Sequence, residues 1–408
     1  MLFRYVFNLQ AALLLSRRYY GYKRVCNGFE CLSNIRSELG MGFKRNELCW
    51  CGSGLKYKKC HLDRGSETPV SVADAHRTIK KINTSKTCSA PSVWHPNCTV
   101  KIINAHTVSK SSSLKEISVE GHVLAFLGNV QSITKTNKLA PARVGINRAS
   151  TFSGFCSHHD KVLFSPVEDC PFYINKQHCF LVAFRAVSRE LYVKGDVSEI
   201  FQDLKGFDKG QSLMQQLMLQ RAANEMISNN NLSKSDLAYI KEKLDDMLVG
   251  EDYSELKHVV FELAHPPHIM GSSIVAPIYG FDGEPVQFIS HNKGSVPDYV
   301  IINSFSDAGK GYIVFSWLPE HSTTGLKLVG QFRNANLSSD NLAVFMLQLL
   351  ENIYLHPAWW AGLDGSMQEY ICDIFSEGLT CDMAARSLIN VRSLGMPSIV
   401  NIDTTLML

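Results

Sequence analysis

What this sequence lacks narrows its class before any motif is read. It has no strong excess of either charge, with a formal net of only +3 over 408 residues. Global electrostatics therefore call for neither an acidic nor a nucleic-acid partner, and any basic surface has to be found locally. The N-terminal apolar run is confined between Arg4 and Arg17, too short to cross a bilayer. There is no phosphate-binding Gly-rich loop, no paired-glycine dinucleotide fingerprint and no His-Glu-x-x-His. A Gly-x-Ser-x-Gly nucleophile elbow is also missing, as is any internal repeat. The common nucleotide-binding and hydrolase signatures are thus excluded.

What is present reads as globular. The composition is 45% hydrophobic and 19% charged, which suits two or three domains, each with its own core. Twelve cysteines are spread along the chain, but three of them crowd beside a histidine between positions 49 and 61. A secreted disulfide scaffold would be shorter and more evenly studded, so the expected setting is a reducing, cytoplasmic one with metal-bound thiolates. Residues 1–29 contain Arg4, Arg17, Arg18, Lys23 and Arg24 and no acid. That pattern gives an organellar presequence as the alternative, and Met41, just before the cysteine cluster, as a candidate true start.

Residues 1–40 therefore read as an extension and 41–63 as a cysteine knuckle. Residues 64–91 read as a polar linker broken by Gly65, Pro69 and Pro91, with a short helical stretch from Val72 to Ile82. Residues 92–176 are loop-rich, and histidine and cysteine reappear there. A helical block spans 177–250. It comprises a first helix breaking at Gly195, a second over 211–227, and a third behind a Ser233-x-x-Asp236 capping box. Residues 251–408 hold short β-branched runs at 258–263, 273–279, 286–289, 299–305 and 312–318. Asp282-Gly283 and Asp307–Gly311 mark turns between them. Helices follow, with the stripe Leu342, Phe345, Met346, Leu349 and a Trp359-Trp360 pair expected to plug the core. The expected fold class is α+β, with an antiparallel sheet of about five strands.

The knuckle carries the clearest chemistry. Cys49-x-Cys51, eight residues, then Cys60-His61 supplies the four soft or borderline ligands of a closed tetrahedral zinc site. Gly52-Ser53-Gly54 allows the reversal between the two halves. So short a segment has almost no core, so zinc would supply most of its folding free energy. The run from Arg45 to His61, with its ligands, Gly-Ser-Gly turn and Lys-Tyr-Lys-Lys, resembles the SEC-C zinc-binding motif. It departs at Trp50, where that motif usually has proline between the first two cysteines. The motif is appended to many unrelated proteins, so it identifies a module and no activity. The resemblance implies docking to proteins or ribosomes. Lys56, Lys58 and Lys59 give the segment a basic face suited to a protein or nucleic-acid partner.

A second constellation lies downstream. Cys156-x2-His159 is a chelating pair, and Cys98 with His106 or Cys88 could complete a tetrahedron around a second zinc ion. This arrangement resembles an HNH or treble-clef unit. That resemblance implies His106 as general base on a phosphodiester and Cys88, Cys98, Cys156 and His159 as structural ligands. His265-Pro-Pro-His268 is no helical chelate, because its prolines require a loop. The functional expectation is a zinc-binding adaptor that docks through its knuckle, with a metal-dependent HNH-like nuclease as the alternative.

Overall fold

The computed structural model describes residues 43–71, 74, 86–126, 139–289, 296–334, 337–379 and 386–407. The expected presequence and the stretch from Val72 to Ile82 fall outside them, apart from Asp74. The chain groups into two compact units. One comprises residues 83–196 and 233–408, and the other residues 5–82 and 197–232, each taken over its described parts.

The fold class is α+β, as the patterning implies. The first unit contains a two-stranded hairpin, β1 (Ile102–His106) with β4 (Thr151–Cys156), followed by helix α1 (Ser157–Glu168). Between the two hairpin strands the chain forms β2 (His122–Ala125) and β3 (Ala142–Gly145). These strands join an eight-stranded antiparallel sheet. Its other members are β5 (Lys257–Leu263), β6 (Ile269–Val275), β7 (Val300–Asp307), β8 (Lys310–Trp317), β9 (Ile353–Leu355) and β10 (Ile399–Asp403). The order is β10-β5-β8-β7-β6-β9-β2-β3.

The expected five strands were therefore an undercount, and one of them is not a strand. The run at 286–289 forms no strand, and just before it an isolated bridge joins Tyr279 to Pro285 around a turn where Gly283 takes φ 77°. The strands β2, β3, β9 and β10 are three to five residues long. Runs that short carry too few alternating positions to register as strands from composition.

The core of the sheet explains its sequence. In β5, Val260 faces Tyr312, Val314 and Cys179, while the adjacent Phe261 stacks edge-on against Phe315 and Phe332. Both faces are covered, so β7 and β8 are buried along nearly their whole length, polar residues such as Asn303 and Ser304 included. Helix α2 (Lys176–Leu204) carries Cys179 onto the first face. On the second, Phe332 comes from helix α4 (Ser322–Asn334) and Phe345 from helix α5 (Ser339–Leu349). Helix α5 opens on a true capping box, Ser338 with Asn341.

The helical block differs from expectation at two points. Helix α2 runs through Gly195 without a break. Helix α3 is one continuous element from Leu213 to Val249, so Ser233-x-x-Asp236 caps nothing, and Asp236 instead accepts the Tyr299 hydroxyl at 3.0 Å. A capping box marks a helix start only where the preceding residues leave helical geometry; here the helix runs on through them. The Trp359-Trp360 pair is half-buried instead of forming a core plug. Trp359 donates its indole N–H to the Leu394 carbonyl at 2.9 Å and stacks on His268.

Candidate metal centres

In the second unit the knuckle closes as a tight reversal. Cys49 N–H donates to Leu55 O at 2.7 Å and Tyr57 N–H to Glu47 O at 2.8 Å. Gly52 and Gly54 hold φ 77° and 74°, left-handed values that a side chain would strain. A single 3-10 turn, Tyr57–Lys59, then lifts Cys60 and His61 back toward the first two cysteines. Trp50, the residue that departs from the motif, packs its ring 4.4 Å from His61 and shields the site.

Cys49, Cys51, Cys60 and His61 offer four ligand atoms, all within 4.8 Å of one another. His61 Nδ1 lies 3.2 Å from Cys49 Sγ and 3.1 Å from Cys60 Sγ, and Cys51 Sγ lies 3.5 Å from Cys60 Sγ. Zinc bonds of about 2.3 Å to sulfur and 2.0 Å to nitrogen set tetrahedral edges of about 3.5–3.8 Å, so the four atoms need little adjustment to fit that ion. Burial pushes the Cys49 thiol up to about 12. Burial also works against the Cys51 thiolate, but hydrogen bonds from Ser53 and the other two thiols bring Cys51 down to about 7. Thiols crowded this way share protons that a divalent cation would displace.

The other ring nitrogen of His61 exposes a partner that no motif reveals. His61 Nε2 donates to Asp208 Oδ2 at 2.7 Å. The Asp208 side chain is 0% exposed and also accepts Arg64 Nε at 2.7 Å and Gln220 Nε2 at 2.6 Å. Burial opposes its charge, but these three donors hold its pKa below the usual carboxylate value. Fixing the proton on Nε2 leaves Nδ1 free to face the three sulfurs, the carboxylate–histidine–metal arrangement of many zinc sites. Asp208 lies 147 positions from His61, at the end of a turn between two helices. Nothing in its local sequence signals the role.

The first unit brings together the second predicted set. Cys88, Cys98, Cys156 and His159 also offer ligand atoms within 4.8 Å of one another. Burial pushes the Cys98 thiol up to about 12. Cys156 is brought down to about 7, because backbone N–H groups, among them that of His159, outweigh its burial.

His106 does not join this cluster. In the hairpin Ile102 pairs with Cys156, whereas His106 pairs with Thr151 at the far end, about 13 Å along the strand. Its Nε2 is bonded to the Ile146 carbonyl at 3.0 Å, and burial lowers its pKa. A cleft of about 530 Å³, open mouth included, is lined by Thr107, Phe164, Glu168, Arg185 and Asn303 among others. Arg185 there is braced by Glu168 at 2.7 Å and lies over the Phe164 ring. His265 and His268 sit in the loop between β5 and β6, and neither is near a thiol cluster.

The SEC-C motif family model matches residues 45–63, the span that carries the first cluster. No curated protein and no solved structure matched this chain. The chain thus contains a SEC-C motif and two Cys/His sets able to hold metal. Among the described residues no helix is long and apolar enough to cross a membrane.

Proposed function

We propose that this protein is a zinc-dependent adaptor that docks an acidic protein partner through its SEC-C knuckle, in a reducing, cytoplasmic setting. One observation carries the reading: apolar and basic side chains share the exposed surface of the knuckle. Leu48 is 73% exposed and Leu55 51%, and an isolated bridge pairs Leu48 with Lys56. Lys56, Lys58 and Lys59 are exposed as well, and among the described residues no carboxylate pairs with them. A segment this small does not leave leucines in water by need, since its turn is held by backbone hydrogen bonds and its metal ligands. Exposed apolar residues rimmed by charge are the usual form of a protein contact. A nucleic-acid site would call for a broader basic surface.

Zinc makes the surface conditional. The four ligands set the reversal that puts Leu48, Leu55 and Lys56 together, so loss of the ion would scatter them. Affinity capture with the full chain, quantified by mass spectrometry, tests the proposal against two variants. Cys60→Ser and the triple change Lys56→Glu, Lys58→Glu, Lys59→Glu should lose the same set of captured proteins, the triple variant while keeping its metal. Equal capture by all three proteins sinks the reading. Salt-sensitive binding of single-stranded RNA or duplex DNA that the triple variant alone loses would redirect it to nucleic acid.

A further inference from the structure

Three sulfurs surround one ring nitrogen in the first unit. His159 Nδ1 lies 3.5 Å from Cys88 Sγ, 3.4 Å from Cys98 Sγ and 3.3 Å from Cys156 Sγ. A single imidazole nitrogen takes part in one hydrogen bond, as donor or as acceptor. Hydrogen bonding therefore accounts for one of these contacts and leaves two unexplained. Zinc accounts for all three, because a tetrahedral ion with three thiolates and one imidazole sets nitrogen-to-sulfur edges of about 3.5 Å.

The four residues come from segments that the fold has to bring together. Cys88 lies on an extended segment along β4, where Ser89 N–H donates to Gly154 O at 2.7 Å. Cys98 follows the short 3-10 helix Ser92–Asn97. Cys156 ends β4 and caps α1, accepting the His159 N–H on its sulfur, and His159 then stands in the first turn of that helix. The Cys156 N–H in turn points at Cys88 Sγ from 3.4 Å. Amide donors on two sulfurs favour thiolates, and thiolates clustered around the fully buried Cys156 need a compensating cation. Trp94 stacks over the His159 ring and covers one side.

We propose that Cys88, Cys98, Cys156 and His159 form a second, structural zinc site, distinct from the family-matched knuckle and independent of the docking reading. Four Cys and His ligands fill all four positions of a tetrahedron, so the ion would staple and not catalyse. It would fasten the 86–98 segment to the β1–β4 hairpin and to the start of α1. That stretch carries few buried apolar side chains of its own, with Val93 64% exposed. A metal staple supplies what its core does not.

Metal counting on the full chain tests this. Wild type should carry two zinc ions per chain, Cys60→Ser one, Cys98→Ser one, and the double variant none. A single ion in wild type, or two in Cys98→Ser, overturns the proposal. If Cys98→Ser fails to fold, cobalt loading of Cys60→Ser decides instead. One cobalt per chain with strong visible d–d bands and an intense thiolate charge-transfer band is the expected result. No cobalt uptake, or an octahedral spectrum without thiolate bands, overturns the assignment.

Discussion

Asp208 offers the sharpest test of how the knuckle is built. Replacing it with Asn keeps size and shape but removes the negative charge that accepts His61 Nε2–H. The imidazole becomes a poorer donor to the metal, and the side-chain amide presents its own N–H groups to three existing donors: His61, Arg64 and Gln220. Loss of such a carboxylate typically weakens metal affinity by about 10–100-fold, roughly 1.4–2.7 kcal/mol. Leaving a buried donor without its acceptor costs about 1–3 kcal/mol of stability as well. The two effects can be read separately. Zinc competition against a chromophoric chelator at pH 7.5 reports affinity, and thermal unfolding of the zinc-saturated protein reports stability. Only the knuckle ion should weaken, since the hydrogen bonds that Asp208 accepts come from His61, Arg64 and Gln220. If Asp208→Asn lowers Tm while every bound zinc keeps its wild-type affinity, the carboxylate is a structural brace alone. The coupling of His61 to Asp208 would then have no bearing on the metal.

Two further outcomes follow from packing. His258 is fully buried on β5, with Nδ1 2.8 Å from Ser316 Oγ, and burial drives its pKa down to about 3 from 6.5. The neutral ring contributes its full stability above pH 6.5, and that contribution is lost as pH falls toward 3 because the unfolded chain protonates first. His258→Leu should therefore lose about 2 kcal/mol less than wild type between pH 6.5 and 4.5 in urea unfolding, and parallel pH profiles would contradict this. Gly378 lies in helix α6 (Gly365–Leu379), where an added Cβ would collide with Gln348 O of helix α5. Gly378→Ala should cost about 1–3 kcal/mol or more by forcing the two helices apart, and an unchanged Tm would count against that close approach.

The two thiol clusters were legible to different degrees for a physical reason. Cys49, Cys51, Cys60 and His61 are close in sequence because one short reversal must present all four, so spacing alone reveals them. Cys88, Cys98, Cys156 and His159 are drawn from three segments, and it is the pairing of Ser89 with Gly154 and of Ile102 with Cys156 that draws them together. The latter pairing separates His106 from them. The α+β class was readable from β-branched runs and helical stripes. The true strand count was not, because β2, β3, β9 and β10 are short and gain their stability from neighbours far along the chain.

By itself the sequence determined the knuckle: its ligands, its glycine-allowed turn and its basic run are all local, set by backbone freedom and donor chemistry over 17 residues. Only the tertiary structure decided what surrounds those ligands. Asp208 reaches His61 across 147 positions, and Leu48 and Lys56 meet on one exposed surface. A carboxylate's role depends on which donors the fold places around it, and that information is nonlocal.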